Sequence, residues 1–207
     1  MGRPHTPLLD RDRIAAAALK LTDRRGDFTI LDLSRALKVT PAALYHHVDG
    51  RDGIIALMRE RMARTMDASG FGQLPWDQAL RQWAVSYRDT FAAHPGAIGM
   101  LAAEPIGDPA VHADYEHAVT ALQDAGFPRH EVLAVITAVE SFVLGSALDL
   151  AAPPVMVTGI DAGATPCLAQ AAAAAPSGRA RADQAFYLGL DALITGLRCT
   201  LSEADNR

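Results

Sequence analysis

Cysteine is nearly missing from this 207-residue chain. Cys167 and Cys199 have neither metal-ligand spacing nor a partner motif. In a reducing compartment both thiols are expected to be free, Cys199 within a helix. Aromatic residues make up 6% of the chain and runs of β-branched residues are scarce, while alanine is abundant and apolar residues recur over long stretches. No sheet is expected, and the pattern is that of an all-α protein. No charged-then-apolar leader opens the chain, and no apolar stretch of about 18 residues runs free of charge or proline. Neither a signal peptide nor a membrane span is expected, and the chain is expected to stay in the cytoplasm. His46, His47, His94, His112, His117 and His130 form no HExxH, no ExxH pair repeated on facing helices and no nucleophile motif. The adjacent His46 and His47 point to different sides of a helix. The expectation is no enzyme, no metal and no cofactor.

What the chain does have is a charge asymmetry. Residues 1–68 hold twelve Lys and Arg against nine Asp and Glu, whereas residues 69–207 hold seven against fifteen. A mildly basic head on an acidic body suits a protein that touches nucleic acid at one end only.

That head contains the stretch TILDLSRALKVTPAALYHHVDGR, residues 29–51. Thr29 is an N-cap candidate, and Ile30, Leu33 and Leu37 recur at the helical period, so residues 29–37 read as a helix with one apolar face. Lys38 and Val39 break the pattern. Thr40 followed by Pro41 starts a second helix over 41–47, which turns Leu44 and Val48 inward. Two such short helices cannot bury their own faces. A third, over residues 10–25, supplies Ile14, Ala17, Ala18 and Leu21 and stops at Gly26. This is a helix-turn-helix arrangement, in which the second helix of the pair enters the major groove and the first crosses the backbone. The groups it would expose are Thr40, Ala42, Ala43, Tyr45 and His46.

TPAALYHHV behind a TxxxLSxAL helix, followed by the charged start of a long fourth helix, resembles the DNA-binding domain of the TetR family of bacterial one-component regulators. HPGAIGMLAAEP, ALQDAGF and SFVLGSALDL resemble, in order and spacing, segments of the effector domain of that family's tetracycline repressor. The resemblance implies an N-terminal three-helix DNA-binding domain over 1–50, a connecting helix over 51–68 and a helical effector-binding and dimerisation domain over 69–207. It implies a homodimer on a palindromic double-stranded operator, most simply a repressor released by a small apolar or amphipathic effector. A DNA-binding architectural protein without a small-molecule input is the alternative. Thr29, Tyr45 and Arg51 are expected at phosphates, and Thr40, Ala42 and His46 at base edges, with Pro41 opening the reading helix. The alternative for Arg51 is a surface arginine. Arg3, in a short N-terminal arm, reads either as a minor-groove contact or as a solvated tail. The family's usual turn glycine is replaced by Lys38, which must accept a left-handed or strained backbone. The repressor's arginine on the first reading helix is Leu31 here and its tryptophan on the second is His46, so the operator is expected to differ.

Beyond the reader, helices are expected from Trp76 to about Phe91, over 97–103, 108–125 and 129–151, around 168–175 and over 182–201. A proline- and glycine-marked loop is expected before the one around 168–175. Helix 129–151 is apolar nearly all round, and with 182–201 it exceeds what one chain can cover, so a dimer seam is expected there. Gly189 and Gly196 share one face and are read as allowing close helix approach. By the resemblance, the effector cage is lined by Trp83, Tyr87, Met100, Ala103, Glu104, Leu133, Ile136 and Asp149, and Leu101 and Glu140 are read as joining them. The histidine, threonine and glutamate with which the tetracycline repressor holds its magnesium-bound drug are Met100, Ala103 and Asp149 here. A thioether has little affinity for a hard cation, so a magnesium chelate is not expected. Trp83 and Tyr87, four apart, either stack on a flat ligand or are core. Glu140 and Asp149 face opposite ways on their helix, one towards the cage and one towards the seam, or else both are solvated or paired with arginine.

Overall fold

The computed structural model describes residues 9–205, which leaves Arg3 outside the described residues. The chain is all-α, with an N-terminal helix-turn-helix domain and a C-terminal helical domain, and no strand occurs among the described residues.

Local chemistry sets the first three helices. Asp10 caps α1 (Arg11–Arg25) by accepting from the Arg13 N–H at 2.7 Å, and Gly26 ends it in the left-handed region at φ 76°. Thr29 and Asp32 form a reciprocal capping box at the start of α2 (Ile30–Leu37). Lys38 follows at φ 58° and ψ 44°, the one non-glycine residue with positive φ among the described residues. Thr40 caps α3 (Pro41–Tyr45) through the Ala43 N–H. α3 is shorter than the expected 41–47 because its chain turns at His46 and His47. Leu44 and Val48 point inward and pack with Ile14, Ala18, Phe28 and Leu33 against Ile54 and Met58 of α4 (Gly50–Ala63).

The body begins with α5 (Trp76–Ala92), followed by a single 3-10 turn over Pro95–Ala97, α6 (Ile98–Ala102) and α7 (Pro109–Asp124). Then come α8 (Val132–Leu150), α9 (Pro166–Ala174) and α10 (Gly178–Asp205). α10 is longer than the expected 182–201. Its first turn lacks apolar periodicity and is instead tied by ion pairs, Arg179 to Asp183 and Arg181 to Asp149. α8 packs against α5, α7 and α10. It is long and apolar enough to cross a membrane by length and composition, yet it carries Glu140 and Asp149 and has the core residues Val135, Ile136, Val139 and Val143. Arg88 of α5, almost fully buried, donates to Asp183 at 2.6 Å and lies 4.3 Å from the Phe186 ring centroid, which fixes α10 to α5.

Two features join the two halves. α4 runs from the reader to α6 and α7. The 3-10 turn docks on the C-terminal end of α1 so closely that a Cβ on Gly96 would lie 2.5 Å from the Thr22 carbonyl oxygen, and beside it His94 pairs with Asp23 at 2.7 Å.

Candidate functional site

The reading face is assembled from short-range caps. Thr29, Leu31, Lys38, Thr40, Pro41, Ala42, Tyr45 and His46 are all exposed around the turn between α2 and α3, with Ala43 half-buried. The Thr29 and Thr40 hydroxyls each cap a helix, so their positions are fixed by the backbone they serve. Tyr45 is 56% exposed at the end of α3, a short helix of which only Leu44 is buried. Arg51 departs from the expectation of a phosphate contact. Its guanidinium turns inward, donating to Asp27 at 2.6 Å and to the Phe28 carbonyl, stacks 4.7 Å from the Phe28 ring centroid and reaches the Met100 sulfur at 3.9 Å. Asp27, whose carboxyl Arg51 holds below the usual carboxylate range, is the better-placed partner for that charge.

In the body, α4, α5, α6, α7 and α8 enclose a cavity of about 260 Å³. Six of the expected residues line it: Trp83, Tyr87, Leu101, Glu104, Ile136 and Glu140. Trp83 and Tyr87 meet edge to face at 5.2 Å and Tyr87 stacks on Phe91 at 4.7 Å, so these rings are both core and cavity wall. Four expected residues are elsewhere. Met100 faces Arg51, because consecutive helical residues point about 100° apart and Leu101 takes the cavity side. Ala103, at the C-cap of α6, is exposed, and Ala102 takes its place in the wall. Leu133 sits in the first turn of α8, beyond the cavity's end, and is 61% exposed. Asp149 is held by a two-pronged contact from Arg181 at 2.9 and 3.0 Å. Of the two carboxylates on α8, only Glu140 belongs to the cavity.

The chemistry of the wall is set by Glu140, Tyr115, Tyr87 and Arg59. The Tyr115 hydroxyl donates to Glu140 Oε1. Burial raises the Glu140 carboxyl above its ordinary value against the opposing pull of that hydrogen bond and of Arg59, and burial beside Glu140 likewise raises both phenols. Arg59 of α4 is buried and donates to three main-chain carbonyls at the end of α6: Leu101 at 2.5 Å, Glu104 at 2.8 Å and Pro105 at 2.7 Å. The Leu101 carbonyl is one that a helix end leaves without a partner of its own, and Glu104 and Pro105 lie in the segment just beyond it. Among the described residues, no group of three or more His, Cys, Asp or Glu is clustered as metal ligands.

Residues 71–201 match the family profile described as tetracyclin repressor-like, C-terminal domain. The chain belongs to the TetR family of transcriptional regulators. It is 29% identical over 201 residues to the class E tetracycline repressor protein of Escherichia coli, covering 94% of this chain and 93% of that one. It is 30% identical over 142 residues to an HTH-type transcriptional regulator of Saccharopolyspora erythraea, a match that takes in 68% of this chain but 60% of the relative. In fold it resembles apo ActR of Streptomyces coelicolor, with a TM-score of 0.76, 23% identity and 95% and 98% of the two chains covered. The structure of ActR in complex with actinorhodin gives 0.74, 22%, 96% and 99%.

Two wall residues of this TetR-family chain were not anticipated from its sequence. Arg59 falls in the apolar stripe of α4 between Ile55, Met58 and Met62, and a charge at that phase is a signal of a buried, partnered group. Tyr115 follows Val111 and precedes Ala118 and Leu122 at helical spacing on α7, which marks an inward face. The glycines also separate. A Cβ on Gly189 would meet the Phe142 ring at 2.5 Å, so Gly189 admits α8 of its own chain, whereas Gly196 has nothing within 4 Å.

Proposed function

We propose that this regulator is a repressor that binds a palindromic operator as a homodimer and releases it when a small apolar or amphipathic effector enters the cavity. In this reading residues 1–50 read DNA, residues 51–68 connect, and residues 69–207 bind effector and dimerise. Thr40, Pro41, Ala42 and His46 face the groove and Thr29 and Tyr45 the phosphate backbone, while Arg51 holds the reader's own loop. The seam is made by α8 and α10, where Leu133, Leu148 and Leu188 leave apolar side chains exposed. A two-fold dimer places two reading helices about 34 Å apart, one turn of DNA.

The observation that carries the effector reading is Arg59. One buried guanidinium joins α4, which leads to the reader, to the end of α6, which lines the cavity. A ligand that displaces Leu101 or Glu104 acts on those hydrogen bonds and so on the tilt of α4. A magnesium chelate does not fit, since Asp149 is engaged by Arg181 and Met100 lies outside the cavity.

The test is reciprocity. Compounds that raise the melting temperature in a screen are titrated with and without the operator selected in vitro by the full-length protein. A coupling of about 1–3 kcal/mol predicts a mutual loss of affinity of roughly 5- to 150-fold. Equal affinities with and without operator would overturn the mechanism, and a screen without a stabilising compound would favour a DNA-binding protein that takes no small-molecule input.

A further inference from the structure

We propose that the cavity selects a cationic amphiphile: an apolar aromatic body held among the rings, with one positively charged nitrogen seated against Oε2 of Glu140. The inference rests on the reading of the cavity as an effector site and adds the charge of what enters it.

Three observations lead there. The first is the sign of the lining. Glu104, Asp114 and Glu140 contribute carboxylates, no lysine or histidine lines the cavity, and the one arginine, Arg59, has both terminal nitrogens committed to main-chain carbonyls. An anionic ligand would find no free cation to meet it. The second is the state of Glu140. Its Oε1 accepts from Tyr115, while Oε2 accepts no hydrogen bond from any described residue. Glu140 is half-buried, and Oε2 is open to the cavity rather than sealed in the wall. Partial burial raises the carboxyl's proton affinity, and a ligand cation seated on that open oxygen favours its charged form. The third is the walls. Trp83, Tyr87, Phe91 and Tyr115 line the same cavity as the carboxylate, Tyr115 touching it, and aromatic faces attract a desolvated cation as well as a flat apolar body. At about 260 Å³ the cavity is at the small end of ligand sites, which limits the body to a few fused rings or their equivalent.

The rival is a neutral ligand whose carbonyl accepts a proton held on Glu140. The two differ in what a glutamine at this position would do. Its amide keeps the size of the side chain and can still donate to a carbonyl, but it offers no charge to a cation.

The experiment uses the full-length protein and three probes with one ring system: 10-methylacridinium, acridine and acridine-9-carboxylate, titrated by calorimetry at pH 8. The permanently charged 10-methylacridinium is expected to bind at least about tenfold more tightly than acridine, and the carboxylate more weakly than either. In Glu140→Gln the advantage of the cation is expected to fall to within about twofold, with acridine affinity unchanged. Equal binding of cation and neutral probe by the wild type, a preference for the carboxylate, binding of none of the three, or a cation preference that survives Glu140→Gln would each overturn the proposal. The comparison among probes on the wild type needs no variant to fold. Operator affinity measured with each bound probe separates this proposal from the reading beneath it. A cation preference without operator release would leave the cavity chemistry standing and remove the effector role, and release by acridine alone would do the reverse.

Discussion

Gly96→Ala should uncouple the reader from the body at a single atom. The 3-10 turn lies on the end of α1 with so little room that the new Cβ would sit 2.5 Å from the Thr22 carbonyl oxygen and 2.7 Å from the Asp23 Cα. Both atoms are backbone and cannot rotate away. Ordinary carbon contacts begin near 3.5 Å, so the turn must move by about 1 Å or α1 must. Overpacking of this kind costs about 1–3 kcal/mol. For a chain of this length that is a fall in melting temperature of roughly 2–4 °C per kcal/mol. The displacement carries α6 with it, since Ala97 leads directly into Ile98, and it separates His94 from Asp23. Operator affinity should therefore fall without any effector, by up to the coupling range of roughly 5- to 150-fold. Gly99→Ala is the control: nothing lies within 4 Å of its added Cβ, it sits inside α6, and it should be neutral or slightly stabilising. Melting curves and operator titrations on both variants decide the matter. If Gly96→Ala matched the wild type in both, the close seating of the turn on α1 would carry none of the coupling assigned to it.

Arg59→Met keeps the stem and removes the hydrogen bonds to Leu101, Glu104 and Pro105, so urea unfolding should show a loss of about 1–3 kcal/mol, the cost of leaving a buried acceptor unmet; an unchanged midpoint would deny the clamp. Leu188→Glu places a charge on the most exposed apolar residue of α10, 73% exposed within one chain, and sedimentation should show monomer with weakened operator binding, whereas a dimer of unchanged mass would move the seam elsewhere. Lys38→Gly relieves a left-handed non-glycine backbone and should stabilise by about 0.5–1 kcal/mol in thermal melts, unless the lysine side chain itself contributes to the fold. Glu140→Gln should stabilise the empty protein at pH 7–8 and give no gain near pH 4. The native state holds the Glu140 proton more tightly than the unfolded chain, so the wild type's stability is complete below the ordinary carboxyl pKa of 4.5 and declines as pH rises through the raised native value. The groups around it, Tyr115 and Asp114 on α7, Tyr87 on α5, Arg59 on α4 and Glu104 after α6, are otherwise the same in both proteins. A variant no more stable than wild type at pH 8 would refute that account.

What could be read from the sequence was what depends on near neighbours. The caps at Thr29 and Thr40, the stop at Gly26 and the strained turn at Lys38 are each decided within four residues, and the structure has all of them. The apolar phases of α1 to α5 were equally local. Pairings across long separations were not written in the pattern. Arg51 looks the same whether it faces a phosphate or Asp27, which is 24 residues away, and Asp149 looks the same with or without Arg181, 32 residues on. Leu133 and Ile136 share an apolar helix, but nothing in its periodicity says where along the axis the cavity ends. Gly189 and Gly196 have the same phase, yet one receives Phe142 of its own chain and the other faces open space.

These long-range pairings converge on α6, a helix of five residues that could not hold its place alone. The Arg51 guanidinium reaches its Met100 sulfur from the reader's side, the turn that precedes it is wedged on α1, and Arg59 binds the carbonyls at and beyond its end. Its remaining face, Leu101 and Ala102, is cavity wall. Under the proposed function, the element that would meet the ligand is thus the one held by the helices of the reader, and no longer path between the two is required. The magnitudes agree with this. A hydrogen bond to a charged group contributes about 1.5–3 kcal/mol, and the coupling expected between effector and operator is about 1–3 kcal/mol. Breaking one of the three bonds from Arg59 would be enough to account for the proposed release of operator. Breaking all three would cost more than the coupling requires, so the effector should shift the end of α6 while leaving Arg59 attached to at least one of its carbonyls.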